Sequence, residues 1–179
     1  VRKTDTVFAA LTSFDTRQVI NFGELLPSGV ELTSQKLKIP TASVNMGACK
    51  LSDKALEFKL SIRSPYESMK SYLINKIRLI CELFNVEIET DGDYPGWIYS
   101  DSSPLLDTIE GMFKERGVDF FVGAVHGGLE AGIWKKRYPD MDIITYGPVL
   151  YDCHTTQERL NLASFERTYN NLLKLLERV

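Results

Sequence analysis

Leu56-Glu57-Phe58-Lys59-Leu60-Ser61-Ile62-Arg63 alternates apolar and polar residues without a break. A period of two belongs to a strand with one covered face and one wet face. Ser43-Val44-Asn45-Met46-Gly47-Ala48 alternates in the same way, and Ser52, Asp53 and Lys54 read as the turn between the two runs. Residues 43–51 and 55–63 are therefore expected to form a β-hairpin, with Val44, Met46 and Ala48 on its covered side. Upstream, residues 15–26 read as a short helix capped by Asp15 or Thr16, with Val19, Ile20, Phe22 and Leu26 inward. Pro27, Ser28 and Gly29 end it, and a strand through Val30 and Leu32 follows. Downstream, Pro65 sits where a helix can begin, and Met69, Leu73, Ile77, Ile80 and Phe84 make a buried stripe. Val86, Ile88 and Thr90 alternate as one more strand. The order predicts an α+β layer, an antiparallel sheet with helices on one face.

The pattern changes after Asp91-Gly92-Asp93-Tyr94-Pro95-Gly96, a turn cluster that marks a boundary between residues 1–92 and 93–179. Ser103 caps and Pro104 opens a helix with Leu105, Leu106, Ile109, Met112 and Phe113 inward, and Gly117 stops it. Phe120-Phe121-Val122-Gly123-Ala124-Val125 is nearly continuous in apolar residues, as a strand buried on both faces of a parallel sheet would be. A helix from about Leu129 to Tyr138, a strand at Ile143-Ile144-Thr145-Tyr146 and a last helix carrying Phe165, Tyr169, Leu172, Leu173 and Leu176 complete an α/β pattern.

The bulk composition narrows the function. A hydrophobic fraction of 44% and a charged fraction of 25% fit a folded globular chain rather than a disordered one. The net charge of -3, with both signs interspersed, argues against nucleic acid as the main partner. No apolar run approaches the roughly 20 residues needed to span a bilayer, and Val1 opens a polar stretch rather than a signal peptide. Three widely spaced cysteines, Cys49, Cys81 and Cys153, suggest a reducing, cytoplasmic setting, with Cys49 and Cys81 as buried thiols. The start at Val1, mid-pattern, suggests a piece of a longer polypeptide.

Only two histidines are present, His126 and His154, each in a polar loop after an apolar run. Loops beyond the carboxyl ends of strands are where α/β sheets bind ligands. His154 has the chemistry of a zinc ligand, with Asp152 orienting the loop or the ring. On spacing alone, a loop histidine bonded to backbone is the favoured reading. In His126-Gly127-Gly128-Leu129-Glu130, the glycine pair suits anion approach, and Glu130 suits either a helix start or a substrate ammonium group. Arg63 closes the polar face of the hairpin and is either solvated or placed to grip a carboxylate.

Taken together, Leu26-Pro27-Ser28-Gly29-Val30, Ser43-Val44-Asn45-Met46-Gly47, Ser61-Ile62-Arg63-Ser64, Tyr94-Pro95-Gly96-Trp97, Ser103-Pro104-Leu105-Leu106, His126 to Gly132, and Asp152-x-His154-Thr155-x-x-Glu158-Arg159-Leu160 resemble the aminoacyl-histidine (Xaa-His, carnosinase-like) di-zinc dipeptidases. The resemblance implies a lid or dimerisation domain up to residue 92 and the C-terminal part of the catalytic domain from residue 93. It implies that His154 is a zinc ligand, and that Asn45 and Arg63 meet the substrate. His126 and Glu130 match a loop that lines the substrate pocket. Two zinc ions sharing an activated water are implied for the whole enzyme, which acts on small peptides. The departures are Thr156, where the family usually has proline, and Cys153, where an aliphatic residue is usual. The family's other metal ligands and its catalytic glutamate match nothing here and are expected upstream. The chain alone is then expected to be inactive, with the N-terminal part of the enzyme and a second copy through the lid as partners. A related tripeptidase or amidohydrolase, an anion-binding domain built on Gly127-Gly128, and a dimerisation module built on the hairpin are the alternatives.

Overall fold

The computed structural model describes residues 11–52 and 55–179. It divides into two compact units, one through Tyr94 and one from Pro95, inside the stretch 91–96. The architecture is mixed, with five helices and two small antiparallel sheets among the described residues.

In the first unit, β1 (Gly29–Thr33), β2 (Pro40–Leu51) and β3 (Leu56–Arg63) form an antiparallel sheet in chain order. The β2–β3 hairpin has the expected pairing, with Val44 opposite Ile62 and Met46 opposite Leu60. Ser52 closes it by hydrogen bonds to Ala55; the predicted turn residues Asp53 and Lys54 lie outside the described residues. The register shifts between Met46 and Ala48, so Gly47 is the extra residue of a bulge. Ala48 therefore leaves the covered face and is exposed, contrary to the simple alternation. Cys49, expected inside, is exposed as well, although its cross-strand partner Phe58 packs on the core; Cys81 is buried as expected.

Helices α1 (Ser13–Leu25) and α2 (Glu67–Phe84) cover one face of this sheet. Thr12, rather than Asp15 or Thr16, caps α1: its hydroxyl accepts from Asp15 N–H and donates to the Asp15 carboxylate. α2 begins at Glu67, two residues after Pro65, and ends at Asn85 in the left-handed conformation. Phe22, Ala42, Val44, Leu73, Ile77 and Cys81 form the core, with Phe58, Leu60, Ile62 and Ile88 packed against it. The Phe22 ring meets Phe58 and Phe84 edge-on at 5.5 Å each. Burial pushes the Cys81 thiol pKa up. The strand expected at Val86, Ile88 and Thr90 does not form: Ile88 packs on the core, but no strand partners the segment.

Lys70 lies on the same helical stripe as Leu73, Ile77 and Cys81 and is only 8% exposed. Its ammonium is saturated by Asp93 Oδ1 at 2.7 Å, Tyr94 carbonyl at 2.8 Å and Glu67 Oε1 at 3.0 Å. Burial alone would lower its pKa, but the bonds to Asp93 and Glu67 outweigh it and raise the pKa above 10.5. The aliphatic stem fills the core edge while the head pins the chain end of this unit.

In the second unit, α3 (Pro104–Glu115), α4 (Glu130–Arg137) and α5 (Leu162–Leu176) accompany a two-stranded hairpin, β4 (Leu150–Tyr151) and β5 (Arg159–Leu160). Ser103 accepts from Leu106 N–H, Pro104 occupies the first turn and Gly117 follows the helix at φ +59°, as the sequence predicts. Ile109, Met112, Phe113 and Leu175 make the core, with Leu105, Leu106, Phe120 and Ile144 around it. The expected parallel strands at 120–125 and 143–146 are absent. A strand exists through its neighbour's hydrogen bonds, and among the described residues nothing offers these runs a ladder. Phe121 is left 92% exposed. α5 buries Ser164 and Leu175, while Phe165, Tyr169, Leu172, Leu173 and Leu176 are exposed.

Two outcomes test this packing. Leu73→Ala, which empties a fully buried site, should cost about 2–5 kcal/mol in urea unfolding followed by circular dichroism. Because the Lys70 pKa is raised, its contribution to stability is complete below pH 10.5 and fades as pH climbs through the folded value. Wild-type stability should therefore fall more steeply above pH 10.5 than that of Lys70→Met.

Candidate functional site

The register of the first hairpin brings two predicted residues onto one face. Asn45 pairs with Ser61, and Ser43 pairs with Arg63. Cross-strand partners share a face, so Asn45 and Arg63 are diagonal neighbours on the exposed side, about 7–8 Å apart by ordinary sheet geometry. The opposite side carries Val44, Met46, Leu60 and Ile62 toward the helices. Arg63 makes no ion pair among the described residues, which leaves its guanidinium available to a carboxylate.

His126 is half-buried in a bend, and Glu130 is exposed as the first residue of α4, in the place that favours an acidic side chain. α4 is seated by Gly132: a Cβ there would stand 2.7 Å from the Pro95 carbonyl oxygen. The absent side chain thus lets the helix press on the 95–96 backbone.

His154 and Asp152 occupy the loop 152–158 between β4 and β5, and both are exposed. The hairpin is fastened to the start of α5. Asn161 N–H donates to the Val149 carbonyl at 3.0 Å, its side-chain amide donates to Tyr151 Oη at 3.1 Å, and Val149 N–H donates to Ser164 Oγ at 2.9 Å. Inside the loop, the Thr155 hydroxyl donates to the Asp152 carbonyl at 2.7 Å and accepts from Gln157 N–H at 3.1 Å. The Asp152 carboxylate is engaged by Arg159 at 2.6 Å, and His154 N–H donates to Glu158 Oε2 at 2.7 Å. Asp152 and His154 both hold positive φ, +52° and +65°.

Among the described residues, no group of three or more His, Cys, Asp and Glu side chains could hold a metal ion. A catalytic zinc takes about three protein ligands. These residues therefore do not make a zinc site by themselves, and His154 can offer one ligand. A shallow cleft of about 250 Å³ is lined by Trp97, Ser100, Lys135, Asp140, Met141 and Asp142 among others, and by none of the predicted site residues. Lys135 donates there to the Met141 carbonyl, and Asp142 accepts Leu105 N–H, so these two charged groups already serve the fold. No described helix is long and apolar enough to cross a membrane.

Sequence reasoning missed two ion-bonded clusters, Lys70 with Asp93, and Glu158 and Arg159 with the His154 loop. The first had a signal: Lys70 falls on the apolar stripe of α2 at helical spacing. The second joins groups four and seven residues apart within a loop, where no period announces a contact.

No family model matches the chain. It is 28% identical over 176 residues to the cytosol non-specific dipeptidase of Escherichia coli (strain K12), covering 96% of this chain and 36% of that protein. The crystal structure of aminoacylhistidine dipeptidase from Vibrio alginolyticus superposes on the whole of this chain with a TM-score of 0.77 at 26% identity, covering 36% of that chain. The chain thus spans about a third of the length of the relatives it matches.

The close approach at Gly132 gives a direct check. Gly132→Ala should destabilise the second unit by about 1–3 kcal/mol through overpacking, read by the fluorescence of Trp97 and Trp134 in denaturant.

Proposed function

We propose that the chain belongs with the aminoacyl-histidine dipeptidases, and that it is the C-terminal part of a zinc-dependent enzyme hydrolysing small peptides of the Xaa-His type. The observation that supports this most is the match of the entire chain to a solved dipeptidase at a TM-score of 0.77. In this reading, the first unit belongs to a lid or dimerisation domain and the second to the end of the catalytic domain. Two zinc ions serve the assembled enzyme, and His154 gives one ligand to a site completed by residues outside this chain. Arg63 grips the substrate carboxylate through its planar fork, and Asn45 on the same sheet face supplies an amide to the peptide. His126 and Glu130 line the substrate pocket, and Asp152 braces the loop that carries His154. The cytosol is the compartment, in keeping with the name of the Escherichia coli relative. The partners are the N-terminal part of the enzyme and a second copy met through the lid.

The exposed apolar groups of the second unit fit this reading. Phe121, Phe165, Leu172 and Leu176 have the character of a core face whose other half is supplied by the rest of an enzyme.

Two measurements test it. The 179-residue chain with zinc should cleave no Xaa-His dipeptide; saturable cleavage would show that it carries a complete site. A chimera with this chain in place of the matching third of the Escherichia coli relative should hydrolyse dipeptides. His154→Ala should cost that chimera more than the roughly 10–100-fold typical of losing a ligand's supporting partner. Unchanged activity in that variant removes the ligand role.

A further inference from the structure

We infer that Glu158 is a positioning residue for His154, and that its carboxylate holds the His154 backbone in the left-handed conformation. The purpose of this bond rests on the ligand role proposed for His154; the bond itself does not.

Positive φ is uncommon for a residue with a Cβ, although Asp and His enter the left-handed region more readily than most, so local bonds can decide whether they stay there. His154 sits at φ +65°, two residues after Asp152 at φ +52°. Each has its own strut from the far limb of the loop. Glu158 Oε2 accepts the His154 N–H at 2.7 Å, and Arg159 donates to Asp152 Oδ2 at 2.6 Å. Both are charge-assisted bonds, the stronger kind. They come from consecutive residues, Glu158 at the end of the loop and Arg159 at the start of β5, next to the ladder to β4 and the Asn161 bonds. The Glu158 amide in turn donates to the Thr155 carbonyl at 3.2 Å, so its backbone and side chain clasp the loop on both sides of His154. With its N–H turned to Glu158, the residue has one backbone orientation, and the exposed imidazole starts from a fixed Cα–Cβ direction. A ligand pre-set in this way loses less freedom when it meets its site.

The test uses the 179-residue chain labelled with ¹⁵N. Glu158→Ala should speed exchange of the His154 amide at least about tenfold. It should also shift the scalar coupling that reports φ at residue 154. Glu158→Gln should restore most of both, because its amide oxygen can accept the same bond. Amides of the β4–β5 ladder should stay as in wild type. Unchanged exchange and coupling at 154 in Glu158→Ala overturns the inference. So does equal loss along the β4–β5 ladder, which marks a general fastening of the hairpin instead. Failure of the ligand role appears separately, in the His154→Ala chimera, and leaves these amide results as they are.

Discussion

The apolar side of the β2–β3 hairpin cannot face water, and covering it organises the first unit. Val44, Leu60 and Ile62 need a lid of side chains, which α1 and α2 supply through Phe22, Leu73 and Ile77. Once both helices lie on that side, the other side of the hairpin is left open. Asn45 and Arg63 stand there because the strand period places them opposite the core. The open polar face is thus a by-product of burying the apolar one.

Legibility followed the range of the forces involved. Ser103-Pro104 at the start of α3 and Gly117 after it were readable because capping is settled within one turn. The hairpin was readable because a period of two and its turn are local too. The bulge at Gly47 was not, since one extra residue in a strand shows only against its partner. The runs 120–125 and 143–146 have the composition of buried strands, yet composition supplies no hydrogen-bonding neighbour. What α5 buries depends on its neighbours in the same way. Its strongest apolar stripe names a preference for burial, and among the described residues little meets it.

The candidate site divides in the same way. His154, Asp152, Asn45 and Arg63 were singled out by residue type and order, and the structure adds how two of them share a sheet face and two share a braced loop. The braces themselves, Glu158 and Arg159, are exposed charged residues of ordinary appearance. Their part depends on the turn of the chain between β4 and β5, which brings the two limbs of the loop together. Thus residue type singled out the candidates, and the contacts around them lay in the backbone path.

The distribution of thiols has a practical consequence. Cys81 is sealed in the first core with its pKa raised, while Cys49 on β2 and Cys153 beside His154 are open to solvent. A maleimide probe finds one accessible sulfur in each compact unit and bypasses the third. Natural sequence thus provides a ready pair of attachment points for spin labels or dyes, and the spacing between the two bodies becomes a directly readable distance without an engineered cysteine.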